Sequence, residues 1–246
     1  MVGIRINSLS KSFGKNLTIF RNLSLDVESN ERVCLFGPSG CGKTTFLNLL
    51  AGLTQSDSGN ISFTTNRHNL MRPRVGYVFQ EPRLLPWLIV EKNVSVVLNG
   101  VSSKKTPALV RRMLKLVRLP GYGKKYPTEI SGGEQQRVAM ARALIVNPDF
   151  LFLDEPFSHL DEFTAAQLRY DLLKMLEKVK TTTVLTTHNP LEAIYLADRI
   201  VVLSAKKPTF IKRIIKTRLT KQGKKDLYRE FIFEAPVKRI MNRLLA

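Results

Sequence analysis

The sequence predicts an α/β protein with a largely parallel sheet, and three observations carry that prediction. Short apolar runs alternate with stretches of helical spacing, the pattern of strands joined by crossover helices. A glycine-rich turn separates the apolar run Arg32–Phe36 from the helical stretch Thr44–Leu53. At 246 residues, 43% hydrophobic and 24% charged, the chain can bury a core without disulfides or a structural metal.

The elements follow in order. Ile4–Ile6 and Leu23–Val27 alternate apolar with polar residues, as half-buried strands do. After the helix Thr44–Leu53, Ser58-Gly59-Asn60 reads as a turn and Ile61–Phe63 as the strand behind it. Val75–Phe79 reads as a buried strand. Val94, Val97 and Leu98, then Leu109, Met113, Leu116 and Val117, fall at helical spacing, punctuated by Gly100 and Pro120-Gly121. This predicts an inserted helical subdomain over about 88–130. Alternation then resumes: Arg137–Ile145 helix, Phe150–Leu153 strand, Ala165–Val179 helix, Thr182–Thr186 strand, Leu191–Ala197 helix, Ile200–Leu203 strand. From Lys206 the chain is basic, with helical patterns at Asp226–Glu230 and Val237–Leu245.

Composition excludes several classes. Disorder, collagen and a disulfide scaffold do not fit these proportions. No apolar run approaches the ~18 residues of a bilayer span. The first residues show no apolar signal-peptide core, so no secretory leader is expected. Cys34 and Cys41 make no disulfide framework, which points to a reducing cytosolic compartment. The net charge of +19 is uneven: residues 93–128 hold eight Lys/Arg and no acid, and residues 206–246 hold thirteen against three acids. Such segments read either as solvated helix faces or as a surface for an anionic membrane leaflet or a polyanion.

Gly37-Pro38-Ser39-Gly40-Cys41-Gly42-Lys43-Thr44 matches G-x-x-x-x-G-K-[ST], between a strand and a helix. Glycines let successive backbone N–H groups face one concavity suited to phosphate oxygens, and the helix start adds its positive dipole end. Lys43 supplies a point charge for β/γ-phosphates, and the Thr44 hydroxyl is placed for Mg²⁺. Cys41 reads as a small loop filler. Phe150–Leu153 ends in Asp154-Glu155, one carboxylate suited to Mg²⁺ and one to polarising a water. Ser131-Gly132-Gly133 opens a second helix as an anion-binding start.

With those residues in place the sequence resembles the ATP-binding-cassette (ABC) ATPases over about residues 1–205. Ser131-Gly132-Gly133 looks like the family's signature motif, with Ile130 and Glu134 where leucine and glutamine are commoner. Gln80 looks like its Q-loop, Ser158-His159-Leu160-Asp161 its D-loop, His188 its switch histidine, and Phe13 the aromatic that stacks on adenine. His159 stands where the family often has a small residue. The resemblance implies a P-loop NTPase fold with a mixed parallel sheet core, an N-terminal antiparallel β part and the inserted helical subdomain. Residues 206–246 are then a basic C-terminal extension packed on or near the cassette.

The resemblance also implies roles. ATP and Mg²⁺ are the cofactors. Phosphate contacts fall to Gly37 through Thr45, with Ser131, Gly132, Gly133, Glu134 and Asp161 contributing to nucleotide binding. Thr44, Gln80 and Asp154 serve the metal. Glu155, His188, Lys43 and Gln80 serve catalysis. Two copies sandwich two ATP molecules, so an ATP-dependent homodimer is expected. Gln80-Glu81-Pro82-Arg83-Leu84-Leu85-Pro86-Trp87, with Tyr126-Pro127, is similar to importer cassettes of the nitrate, sulfonate and taurine group. That implies transmembrane permease subunits, a solute-binding protein acting indirectly, and a place on the inner face of the cell membrane. The alternative is a nucleic-acid-linked or regulatory ABC ATPase that moves no solute. The +19 charge is the sole support for nucleic acid, which the importer-like loop and the missing coiled coil disfavour.

Overall fold

The computed structural model describes residues 2–14, 16–64, 73–98 and 104–217. The chain divides into two compact units, residues 1–68 with 182–246, and residues 69–181. The first unit opens with β1 (Val2–Phe13), β2 (Leu17–Glu28), β3 (Arg32–Phe36), α1 (Lys43–Leu50) and β4 (Ser58–Phe63). The second holds β5 (Val75–Val78), α2 (Val90–Ser95), α3 (Thr106–Leu116), α4 (Gly132–Leu144), β6 (Phe150–Asp154) and α5 (Glu162–Lys178). The first then resumes with β7 (Thr182–Thr187), α6 (Pro190–Leu196), β8 (Arg199–Leu203) and β9 (Ile211–Lys216).

In the first unit β1 lies between β2 and β4 in an antiparallel sheet. Alternation buries Ile4 and Ile6 of β1 and Leu23, Leu25 and Val27 of β2. The sequence pattern errs at Ser58-Gly59-Asn60, which is the opening of β4 and not a turn. A β-bulge in β1 places Ser8 at φ 48°, and a Cβ on Gly59 would lie 2.5 Å from the Ser8 carbonyl oxygen. The glycine permits close backbone approach at a bulge, a signal that looks like a turn in one dimension. In the other sheet β3 runs parallel to β7 and β8, and β9 pairs antiparallel with β8. β9 carries no strand pattern in the sequence, because its isoleucines sit among Lys212, Arg213 and Lys216 and read as basic tail.

In the second unit β5 and β6 form a parallel pair. Gly76 lets α4 rest on β5: a Cβ there would lie 2.5 Å from the Ala143 carbonyl oxygen. α4 starts five residues before the stretch Arg137–Ile145, because Ser131 and Glu134 close a capping box ahead of it. α2 and α3 form the inserted helical part, with Val94, Val110, Leu114 and Val117 buried. The turn at Gly100 and the helical patterns Asp226–Glu230 and Val237–Leu245 lie outside the described residues. Among the described residues no helix is long and apolar enough to cross a membrane.

Candidate active site

The first unit carries the phosphate loop. β3 ends at Phe36 and α1 begins at Lys43, so the intervening loop stands at the carboxyl end of a parallel strand, where α/β folds place ligands. Gly40 and Gly42 hold φ of 76° and 103°, a region open to glycine and strained for other residues. Space is limiting at Gly42 as well, since a Cβ would lie 2.6 Å from Ile19 Cγ2. Gly42→Ala is therefore expected to cost about 1–3 kcal/mol of stability and to weaken nucleotide affinity, as read by thermal melts with and without ATP.

Lys43 is buried, and its ammonium donates to the carbonyls of Gly37 at 2.9 Å and Pro38 at 3.0 Å. A cation is thus held across the loop while the helix start supplies N–H groups, a donor set that fits a polyphosphate. Cys41 is buried and fills the loop. Thr209, buried in the C-terminal extension, donates its hydroxyl to the Cys41 carbonyl at 2.7 Å, and its N–H donates to the Ile19 carbonyl at 2.7 Å. The extension therefore braces the phosphate loop. A lone threonine in a basic stretch gave no sequence signal of this.

Phe13 ends β1 beside Gly14 and is 46% exposed, with the Lys11 ammonium 5.2 Å from its ring centroid. One ring face is engaged by a cation and much of the ring remains open to stacking. His188 follows β7 and is exposed. The next residue fixes its backbone: Asn189 donates its N–H to Thr187 Oγ1 and caps α6 by accepting from Leu191.

The second unit carries the acidic strand end and the serine–glycine helix start. Asp154 is buried at the end of β6. Tyr77, on neighbouring β5, has its hydroxyl pushed well above the usual tyrosine range, first by burial and then by the Asp154 charge. Glu155 holds φ 40°, the left-handed region, and its carbonyl accepts from both the N–H and the hydroxyl of Ser158 at 3.2 and 3.1 Å. A side chain in that region is strained, and the two Ser158 bonds hold it there. Asp161 caps α5 by accepting from the Thr164 N–H at 3.0 Å, which holds its carboxyl below the usual range. In this unit the Asp154 carboxylate and the Gln80 amide oxygen, and in the first the Thr44 hydroxyl, are each hard oxygen donors of the kind Mg²⁺ takes.

Ser131 Oγ accepts from the Glu134 N–H at 3.3 Å, and Glu134 accepts from the Ser131 N–H at 2.8 Å. Glu134 also accepts from the Tyr122 hydroxyl at 2.7 Å. That bond, more than any other contact, lowers the Glu134 carboxyl below its ordinary value. The stabilisation is present above the unfolded-state value and is lost as pH falls through the folded one. Glu134→Gln is expected to lower the melting temperature at neutral pH, to change it little in acid, and so to flatten the acid limb of a melting-temperature profile. Gly133 is required for packing, since a Cβ would lie 2.6 Å from Thr164 Cγ2. Gly132 meets nothing within 4 Å.

Gln80 is exposed and opens a loop whose fixings the sequence did not disclose. Asn93, fully buried, donates to the carbonyls of Leu85 and Leu88 and accepts from the Leu85 N–H at 2.8 Å. Arg142 donates to the carbonyls of Pro82 and Arg83 at 2.7 and 2.9 Å. These bonds pin a loop that presents Trp87 at 70% exposure.

The family model described as ABC transporter matches residues 20–158. The chain belongs to the ABC transporter family. This ABC chain is 43% identical to an aliphatic sulfonates import ATP-binding protein of Bacillus cereus, over 88% of its own length and 86% of that relative. It is 43% identical to a sulfate/thiosulfate import ATP-binding protein of Synechococcus elongatus, over 82% of its length and 60% of that relative. Among solved structures it resembles a dimeric post-hydrolysis state of the ATP-binding cassette MJ0796 bound to ADP and Pi. The TM-score is 0.75 at 29% identity, covering 87% of this chain and 99% of that one. The described architecture is the ABC cassette fold: mixed sheet, antiparallel N-terminal sheet and inserted helices.

Proposed function

We propose that this chain is the ATP-hydrolysing subunit of an importer for a small solute, with sulfonates or related sulfur oxyanions as its substrate class. The observation that supports this most is 43% identity over 219 residues to an aliphatic sulfonates import ATP-binding protein. On this reading two copies pair with ATP between them. Phe13 stacks on adenine, while the N–H groups from Gly40 to Thr44, with Thr45 behind them, and the Lys43 ammonium hold the phosphates. Ser131 and Gly133 of the second copy cap the γ-phosphate.

Glu155 accepts a proton from the attacking water as the water oxygen bonds the γ-phosphorus and the bond to the bridging oxygen breaks. His188 steadies the γ-phosphate, and Ser158 fixes the Glu155 backbone. Thr44 and Asp154, with Gln80 joining on closure, would hold Mg²⁺, which neutralises phosphate charge when bound. Because phosphoryl transfer is governed by positioning and charge stabilisation, dimer closure gates the chemistry. Closure moves the helical insert and, through the loop Gln80–Trp87, separate permease subunits at the inner face of the membrane.

The test is recovery of a tagged chain from native membranes in mild detergent at ~0.3 M salt, which screens loose polyanion contacts. A multi-span protein should co-purify. In liposomes the pair should hydrolyse ATP faster when a sulfonate-loaded binding protein is added. Recovery of nucleic acid or ribosomes with no membrane protein would overturn the reading.

A further inference from the structure

The second unit contains a cavity of about 710 Å³ between α3, the carboxyl end of α4 and α5. None of the residues assigned to nucleotide or metal lines it. Its apolar surface comes from Leu109, Met113, Leu116, Ile145 and Met175, and its polar rim from Arg112, Lys115, Arg118, Lys174 and Lys178. All five rim cations are exposed, while Ile145 and Met175 are buried.

The rim charge exceeds what the fold consumes. Three helices end here, each carrying about half a negative charge at its carboxyl end. Asp171 adds one acid, buried and bonded to Arg137 at 2.7 Å and Arg118 at 2.9 Å. Five rim cations and Arg137 more than offset these, so a positive potential remains above an apolar floor. The volume lies in the range of small-molecule sites. An apolar tail against the methionines and leucines, with one anionic head among the lysines and arginines, satisfies both halves. We infer that this cavity is a binding site for a single-chain aliphatic anion, an alkyl sulfonate or a fatty acid. The inference is independent of the transport reading, because it concerns binding to the chain alone.

α4 and α5 reach this cavity at one end and begin at Ser131 and Asp161 at the other. A ligand lodged there therefore packs against the same two helices that start at those residues.

The test is methionine-methyl NMR of the full chain titrated with decanesulfonate below its micelle concentration, with a thermal melt of each sample. The Met113 and Met175 methyls should shift saturably, and the melting temperature should rise. Lys174→Gln with Lys178→Gln, both on the surface, should raise Kd by about tenfold or more, while the free chain melts only slightly lower because the α5 carboxyl end and the Tyr170 ring each lose a cation. Met113→Trp, which fills the cavity, should abolish the shifts. Decanoate distinguishes the two heads: binding by either anion supports the site, and the tighter one identifies its source. Equal binding of decanol would show that charge is not read, and equal effect of inorganic sulfate that the apolar floor is not read. Either result overturns the inference. So does an acidic amphipathic peptide that shifts these methyls where decanesulfonate does not, which would make the cavity a protein-docking groove.

Discussion

Glu155→Gln is expected to lower ATP hydrolysis by about 10²–10⁴-fold while leaving ATP binding intact. The amide keeps the shape of the side chain and cannot take the proton of the attacking water. It also keeps a side chain of the same length on the φ 40° backbone that Ser158 holds, so the loop should not rearrange. If the copies close on ATP as proposed, arrested hydrolysis should trap them together. Phosphate release measures the first effect, and size-exclusion chromatography with ATP and Mg²⁺ measures the second. A protein that binds ATP and elutes as a monomer under all conditions would remove the paired-site mechanism.

Asp171→Ala is expected to destabilise the chain by about 3–5 kcal/mol, seen as a lower urea midpoint with an unchanged slope. The carboxylate is 3% exposed and Arg137 is 13% exposed, so truncation leaves a largely desolvated guanidinium without its anion. Arg118 contributes little to this sum, because at 52% exposure its charge is already hydrated. Gln167 also donates to Asp171, at 3.2 Å, and would lose its acceptor. Replacing both Asp171 and Arg137 by leucine and methionine should recover much of the loss, because no buried charge is then left alone. A double variant as unstable as the single one would show that packing, not the stranded charge, sets the cost.

The elements that sequence reading placed well share a physical reason. β3 was legible residue for residue because a run buried on both faces needs apolar side chains without a break, and a glycine loop ends it. The strand–loop–helix around Gly37–Thr44, the strand end at Asp154-Glu155 and the helix start at Ser131-Gly132-Gly133 are legible as local structure, because glycine, a capping serine and an apolar run that stops at a carboxylate each mark an element boundary. Asn93, Arg142, Asp171 and Thr209 were not. Each holds something in place through bonds to distant backbone or side chains, and many polar residues do that without any local pattern. Gly59 misled because a positive φ marks a bulge as readily as a turn. β9 was hidden because an edge strand on a buried neighbour needs only a few apolar contacts and tolerates lysine and arginine on its outer face.

With Glu155 as the proposed base, its left-handed backbone sets stability and activity against each other at one position. A side chain there costs about 1–2 kcal/mol relative to glycine, which occupies that region freely. Glu155→Gly should therefore melt higher than Glu155→Ala and at least as high as the parent, while hydrolysing ATP no faster than Glu155→Gln. Selection for robustness alone would discard the carboxylate, so a library screened by thermal survival should enrich dead variants at residue 155.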